Sequence, residues 1–188
     1  GLAAAMRFYE RGACVAVNVR DDARAEATAK ALGERAIAVP GDVAAAGVPD
    51  EIVRITMARF GRIDILVNNA AQAHSTRFSE LSAEEWRQAL EVNLTAPFLL
   101  TKAVVPAMQA QHYGRIVNIS SSAGRTVSTL GGAHYTAAKA GLLGLARASA
   151  NELGKFGITV TATAPAPIAT ARTHEQPPPR PPGKPRRA

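Results

Sequence analysis

Residues 114–122 read Gly114-Arg115-Ile116-Val117-Asn118-Ile119-Ser120-Ser121-Ser122, an apolar, β-branched run that ends in three hydroxyls. Such a run is typical of a buried strand in a parallel sheet. A second run of this kind, Arg62-Ile63-Asp64-Ile65-Leu66-Val67-Asn68-Asn69-Ala70, ends in paired amides. Because ligands bind beyond the carboxyl ends of the strands in open α/β sheets, we expect both polar ends to line one crevice. Each end taken singly could instead cap a helix or form a turn.

Strand and helix patterns alternate along the whole chain. Strands are predicted near residues 13–19, 36–40, 63–68, 114–120 and 157–163, and helices near 21–33, 48–60, 82–111 and 133–155. This alternation implies right-handed crossovers between neighbouring parallel strands. The sequence therefore predicts an α/β domain with a doubly wound parallel sheet.

Tyr135 and Lys139 stand four residues apart in one of these helical stretches. At that spacing the phenol and the ammonium share one face of the helix. A phenol has a reference pKa of about 10, and a positive charge fixed nearby favours the phenolate and lowers that pKa. The pair can therefore make a tyrosine a working acid or base, although such a pair is more often part of a solvated surface. The two polar strand ends upstream favour the catalytic interpretation.

In this order the motifs resemble those of the short-chain dehydrogenase/reductase family, from Gly1 to about Thr170. Asn68-Asn69-Ala70-Ala71 resembles the N-N-A-G motif, Asn93 the helical asparagine, Ser121 the serine, and Tyr135 with Lys139 the Y-x-x-x-K motif. Within the family the chain looks most similar to 3-oxoacyl-(acyl-carrier-protein) reductases and related ketone reductases. The resemblance implies a Rossmann-type fold that lacks its first and last strands, in a partial domain over residues 1–170.

The resemblance also implies an NADP(H)-dependent oxidoreductase that interconverts a ketone and a secondary alcohol. Tyr135 would be the general acid and base, and Lys139 would lower the tyrosine pKa and bind the nicotinamide ribose. Ser121 would hold the substrate oxygen, with Ser122 as the alternative for that role. Asn93 would position a water that connects Lys139 to solvent. The competing hypothesis is a catalytically inactive fragment that acts at most as a dimerising module.

The cofactor residues are incomplete at the start of the chain. Gly1 stands where the last glycine of the family's T-G-x-x-x-G-x-G turn is expected, and the preceding strand is absent. We expect an unfilled central position in the sheet between the strands that start near Ala13 and Ile63. Arg20 follows the strand at 13–19 and favours the extra phosphate of NADP(H) over NAD(H). Two aspartates after it, at positions 21 and 22, argue against this assignment if they point inward.

Other cofactor contacts are implied along the chain. Asp42 and Val43 match the adenine contact, and Asn69 and Ala70 belong to the N-N-A-G motif. Pro165 takes the place of the family's P-G proline, and Ile168 and Thr170 would lie near the nicotinamide carboxamide. The loop at 72–77 and the segment at 125–132 would line the substrate pocket, and neither has a recognisable code. His74 and His134 are interpreted as polar loop groups.

The net charge of +7 is concentrated in the last residues. Residues 176–188 hold four basic and no acidic residues, so the rest of the chain carries +3. Residues 171–188 are predicted to form a disordered, Pro/Arg-rich tail, and we expect no nucleic-acid partner. No apolar run reaches the roughly 18 residues of a membrane span. The expected partners are a small carbonyl or alcohol substrate and further copies of the chain, in a homodimer or homotetramer.

The chain has a single cysteine, Cys14, on a predicted buried strand. One cysteine cannot form an intramolecular disulfide, and this favours a reducing compartment. We therefore expect a cytoplasmic location and a core role for the Cys14 thiol.

Overall fold

The computed structural model describes residues 1–128 and 131–166. The helices are α1 (Leu2–Glu10), α2 (Asp22–Leu32), α3 (Val48–Phe60), α4 (Ala83–Leu90), α5 (Ala96–Ala110) and α6 (Ala133–Leu153). The strands are β1 (Val15–Val17), β2 (Ala36–Ala38), β3 (Ile65–Asn68), β4 (Gly114–Ile119) and β5 (Ile158–Thr163). A π-helix spans Glu91–Thr95, and turns of 3-10 helix span Ser122–Gly124 and Gly154–Phe156. The tail predicted for residues 171–188 lies outside the described residues.

The strands pair in parallel and form two sheets. One sheet holds β1 and β2, and the other has the order β3-β4-β5. In the described part of the chain β1 and β3 are not hydrogen-bonded to each other, at the position where the sequence predicts an unfilled strand. The predicted α/β class with parallel strands is confirmed.

Local capping explains where two helices begin. The Asp21 carboxylate accepts a hydrogen bond from the Arg24 backbone N–H at 2.7 Å and caps α2. The Ser82 hydroxyl accepts one from the Glu85 N–H at 3.1 Å and caps α4. Each cap satisfies a backbone donor that has no partner inside its helix.

The single helix predicted for residues 82–111 is divided into α4, a π-helical segment and α5. The Ala96 N–H bonds to the Glu91 carbonyl, five residues back. Pro97 follows and has no N–H, so it cannot donate to the Asn93 carbonyl four residues before it. The π-helix is therefore centred on the asparagine that the sequence singles out.

The main core lies where α5 and α6 pack against the three-stranded sheet. Its buried side chains are Ile63, Val104, Met108, Ile116, Ala146, Ile158 and Val160. A smaller cluster joins Val43 to Ala96 and Leu100. None of the helices in the described ranges combines the length and the apolarity that crossing a lipid bilayer requires.

The prediction that Cys14 lies in a buried strand is wrong. β1 begins at Val15, and the thiol of Cys14 is free and exposed. The ladder with β2 starts with Val15 opposite Ala36, so Cys14 precedes the paired segment. Its side chain therefore contacts solvent instead of the core.

Candidate active site

The polar strand ends meet at one edge of the three-stranded sheet. Asn68 at the end of β3 lies opposite Asn118 in β4, and its amide donates to Asn118 Oδ1 at 2.8 Å. Ile119 at the end of β4 lies opposite Thr163 at the end of β5. The segments that follow the three strands therefore start side by side, as the sequence predicts.

Two close contacts join the end of β4 to helix α6. The Ser120 hydroxyl is buried and donates to the Lys139 carbonyl at 2.8 Å. Gly124 packs so closely that a Cβ there would lie 2.6 Å from the same carbonyl oxygen. Because backbone atoms cannot move aside as a flexible side chain can, this approach needs a glycine. The turn that begins at Ser121 is thus held directly against the helix turn that carries Lys139.

Lys139 is a buried cation, with 2% of its surface exposed. Its Nζ donates to the Ile119 carbonyl at 2.8 Å and lies 5.7 Å from the centroid of the Tyr135 ring. Burial lowers the pKa of Lys139 from 10.5 to about 8. Below that pKa the ammonium form dominates. A positive charge is therefore fixed beside the phenol at neutral pH, as the helical spacing predicts.

Ser121 is the N-cap of the short 3-10 turn that follows β4. Its Oγ accepts a hydrogen bond from the Ala123 N–H at 3.2 Å, which leaves the hydroxyl proton free to donate elsewhere. Ser122 bonds through its backbone: its N–H donates to the Pro165 carbonyl at 2.9 Å, and its carbonyl accepts from Thr126. The Ser122 contact brings Pro165 next to the serine turn.

The side chain of Asn93 is fully buried and hydrogen-bonded through both of its polar atoms. Its Oδ1 accepts from the Gln72 N–H at 3.2 Å, and its Nδ2 donates to the carbonyls of Gln72 at 2.8 Å and Ala89 at 2.9 Å. Asn93 therefore fixes the start of the loop after β3. Both N–H groups of the amide are used, and Oδ1 keeps one further acceptor site.

Two of the predicted cofactor residues lie together beyond β3. The Gly1 amino group donates to Asn69 Oδ1 at 3.2 Å, and a Cβ at Gly1 would lie 2.9 Å from Asn69 Nδ2. Gly1 thus contacts the side-chain amide of the exposed Asn69. Gly1 also precedes α1, and the backbone N–H groups at the start of a helix are donors that fit a pyrophosphate.

The remaining predicted cofactor residues lie on the loops after β1 and β2. Arg20 is exposed and forms no ion pair or hydrogen bond within residues 1–128 and 131–166. Asp42 accepts from the Ala44 N–H at 3.0 Å. The Val43 side chain is buried in the core, so only its backbone is available to a ligand. Ile168 and Thr170 lie outside the described residues.

Sequence reasoning missed several residues that build the site. Ser120 and Gly124 position the Lys139 backbone, and the only signal for Ser120 is its place in the hydroxyl run. His134 is a buried residue of α6 and not a polar loop group, so that interpretation is wrong. Neither ring nitrogen of His134 has a hydrogen-bond partner in the part of the chain that is described.

The structure has parallel strands whose C-terminal ends carry polar residues, and a helix beside these ends carries a Tyr–Lys pair. This arrangement defines a class of α/β enzymes that bind dinucleotides. A family model described as short chain dehydrogenase matches residues 1–180. The chain belongs to the short chain dehydrogenase family, whose members are oxidoreductases that use nicotinamide cofactors.

Relatives and a solved structure agree with this family. The chain is 41% identical over 177 residues to a 3-oxoacyl-(acyl-carrier-protein) reductase from Synechocystis sp., covering 92% of this chain and 71% of the relative. It is 42% identical over 183 residues to (2S)-((R)-hydroxy(phenyl)methyl)succinyl-CoA dehydrogenase subunit BbsD from Thauera aromatica, covering 94% and 72%. A crystal structure of a short-chain dehydrogenase from Streptomyces avermitilis matches with a TM-score of 0.83 at 32% identity, covering 91% of this chain. The match spans 64% of that solved chain, just under two thirds of its length.

Proposed function

We propose that this chain is the catalytic part of an NADP(H)-dependent oxidoreductase that interconverts a ketone and a secondary alcohol, with Tyr135 as general acid and base. The observation that carries the proposal is the buried Lys139 ammonium, held by the Ile119 carbonyl 5.7 Å from the centre of the Tyr135 ring. A charge fixed there stabilises the phenolate that forms as the proton leaves. Removing the proton donor should therefore remove most of the turnover.

In the reductive direction Tyr135 gives its phenolic proton to the carbonyl oxygen as negative charge develops on it. When bound, the nicotinamide supplies the hydride that adds to the carbonyl carbon. Lys139 has three N–H donors, and its bond to the Ile119 carbonyl uses one. We assign the other two to the ribose hydroxyls of the nucleotide.

Ser121 is proposed to hold the substrate oxygen within reach of Tyr135. Its oxygen already accepts the Ala123 N–H, so its hydroxyl proton is the group left to donate. We therefore expect Ser121→Ala to lower kcat about a hundredfold to a thousandfold, in the range of other oxyanion donors. Ser122→Ala is the matched control, and it should stay within about threefold of wild type. An equal loss in both variants would remove Ser121 from this role.

Asn93 is proposed to replenish the Tyr135 proton through a water on its main-chain carbonyl. The α-helical donor to that carbonyl would be Pro97, which has no N–H. π-Helical segments occur frequently at functional sites. The side chain of Asn93 contributes indirectly, by fixing the Gln72 backbone.

The substrate is proposed to be a ketone carried on an acyl thioester. This is supported by the names of two relatives, one for an acyl-carrier-protein substrate and one for a CoA substrate. Acetoacetyl-CoA is a suitable probe, with a simple cyclic ketone for comparison. Turnover that favours the cyclic ketone would contradict the thioester proposal and leave the oxidoreductase proposal intact.

The central test replaces Tyr135 with Phe, which keeps the ring and removes the proton. We expect kcat for NADPH-dependent reduction of acetoacetyl-CoA to fall by at least about a hundredfold, with little change in the Kd for NADPH. Tyr113→Phe is the control, because it removes the hydroxyl of an exposed tyrosine that lies just before β4. Turnover in Tyr135→Phe within about threefold of wild type would refute the mechanism. A wild-type chain that neither binds NADPH nor turns over any ketone would favour the inactive-fragment hypothesis.

The preference for NADP(H) is proposed to come from Arg20. Its guanidinium is exposed and unpaired in the described part, while Asp21 is turned to the Arg24 N–H as a helix cap. A charge-assisted bond to a phosphate is worth about 1.5–3 kcal/mol, so Arg20→Ala should raise the Kd for NADPH about tenfold to a hundredfold. The Kd for NADH should not change. Arg24→Ala removes an exposed cation one helical turn away and serves as the control.

Self-association is proposed through an apolar surface beside α4 and α6. Phe78 precedes α4 and Val127 precedes α6, and these side chains are 82% and 79% exposed. Together with Trp86 of α4 they line a depression of about 500 Å³ against α6. Apolar side chains this exposed are common at interfaces between subunits. Phe78→Ser with Val127→Ser should lower the mass measured by sedimentation, whereas Leu2→Ser on α1 should not.

We also propose a cytoplasmic location, since the free thiol of Cys14 suits a reducing compartment.

A further inference from the structure

The turn before α6 holds two glycines, Gly131 and Gly132. Gly132 is the N-cap of α6 and has φ −76° and ψ −173°, an extended conformation open to any residue. The Gly131 N–H donates to the Ser128 hydroxyl at 2.7 Å. At both glycines an added Cβ would meet close neighbours.

At Gly131 the close neighbour is the catalytic tyrosine. A Cβ added there would lie 2.8 Å from Cδ1, 2.9 Å from Cγ and 3.0 Å from Cβ of Tyr135. Ordinary contacts between carbon atoms lie at about 3.5–4.0 Å. The three atoms form the root of the side chain, which is fixed by helix α6 and cannot bend away as a chain end can. The Tyr135 ring therefore rests directly on the backbone of Gly131.

At Gly132 the neighbouring ring is a different one. A Cβ there would lie 2.6 Å from Cε1 and 2.7 Å from Nδ1 of His134, and 3.1 Å from the Thr76 carbonyl oxygen. The Gly132 N–H donates to the His74 carbonyl at 2.8 Å. Gly132 thus makes room for a buried histidine and ties the loop after β3 to α6, but it does not touch Tyr135.

We infer that Gly131 is a positioning residue for the Tyr135 proton donor: its missing side chain sets where the phenol ring lies. This inference rests on the proposed function, in which Tyr135 gives its proton to the substrate oxygen. The Lys139 ammonium lies 5.7 Å from the ring centroid and Gly131 supports the root of the side chain, so both neighbours define the position of the ring. A methyl group at Gly131 has to displace the ring by about half an ångström to restore ordinary contact. Proton transfer and substrate alignment are lost steeply at displacements of this size.

The test compares the same added methyl group at three glycines. Gly131→Ala should lower kcat about tenfold to a hundredfold, with the KM for acetoacetyl-CoA and the Kd for NADPH within about threefold of wild type. Gly132→Ala meets His134 instead of Tyr135 and should lower kcat by less than about threefold. Gly154→Ala is the control for any glycine replacement, because nothing lies within 4 Å of a Cβ there and its φ is −56°.

A double-mutant cycle separates positioning from general damage to the fold. In a Tyr135→Phe background the ring has no proton to place, so adding Gly131→Ala should change the residual rate by less than about threefold. If Gly131→Ala lowers the residual rate as much as it lowers the wild-type rate, the inference is wrong. It is also wrong if Gly131→Ala and Gly132→Ala lower kcat equally.

Two further controls keep the outcomes distinct. If Gly131→Ala does not fold at the assay temperature, the comparison is repeated in a His134→Leu background, which removes the imidazole that has no hydrogen-bond partner among the described residues. If Tyr135→Phe leaves turnover unchanged, the proposed function fails, whatever Gly131→Ala does. If Tyr135→Phe abolishes turnover while Gly131→Ala matches Gly154→Ala, only the positioning role fails.

Discussion

Replacing Lys139 with Met should make the protein more stable at neutral pH, because the fold buries a charge to build its site. Each pKa unit corresponds to about 1.4 kcal/mol, so lowering the pKa of Lys139 from 10.5 to about 8 implies a penalty of about 3 kcal/mol. Met fills a similar volume without a charge. It also leaves the Ile119 carbonyl without the donor at 2.8 Å, which costs about 1–2 kcal/mol. We therefore expect Lys139→Met to raise the free energy of unfolding by about 1–2 kcal/mol at pH 7.

The pH dependence identifies the cause of this gain. The unfolded chain keeps the Lys139 proton up to its ordinary pKa of 10.5, whereas the folded chain releases it near pH 8. Between these values the unfolded state binds more protons, so the stability of the wild type rises with pH. The penalty is complete well below pH 8 and disappears towards pH 10.5. The gain from Lys139→Met should therefore shrink by about 2 kcal/mol between pH 7 and about pH 9.5.

Urea unfolding at a series of pH values, followed by circular dichroism, measures this difference. Lys102→Met is the control, because Lys102 is exposed on α5 and its removal should give a small difference that does not change with pH. A gain for Lys139→Met that is constant with pH, or a loss of stability at pH 7, would refute the burial argument. Turnover in Lys139→Met should be lost in either case under the proposed mechanism.

Three further predictions concern stability, each measured by urea unfolding. His134→Leu should stabilise the protein by about 1 kcal/mol, because the described residues give the His134 ring no hydrogen bond and burial of its two nitrogens is costly. A fall of more than about 1 kcal/mol in the free energy of unfolding would indicate a hydrogen-bond partner for the ring. Asp21→Ala should cost about 1 kcal/mol, because the Arg24 N–H loses its cap, and an unchanged midpoint would mean that water replaces it. Gly124→Ala should cost about 1–3 kcal/mol or more, because its methyl meets the Lys139 carbonyl, and a neutral result would show that the turn can move away.

Much of the fold follows from local patterns. α3 begins and ends at the predicted residues, 48 and 60, and the strands β2 to β5 lie inside their predicted ranges. Helix and strand periods are properties of a few neighbouring residues, so the sequence reveals them directly. The shared face of Tyr135 and Lys139 is predictable for the same reason, because one helical turn determines it.

The sequence predicts part of how the site is assembled. Parallel strands must bring their carboxyl ends to one edge, and the segments after β3, β4 and β5 do meet there. The break in the helix at Asn93 was not predicted, although Pro97 was its visible signal. The apolar neighbours of Cys14 predict a core position, whereas the strand pairing places Cys14 outside the ladder.

The alternation of strands and helices, the order of the polar strand ends and the spacing of the Tyr–Lys pair can all be read from the amino-acid sequence. The packing of separate elements sets the 2% exposure of Lys139 and its bond to Ile119, the contact of Asn93 with Gln72, and the support of the Tyr135 ring by Gly131. The first group depends on the periods of a helix and a strand. Burial and contact between separate elements depend instead on how all the elements pack, and no single stretch of sequence contains that information.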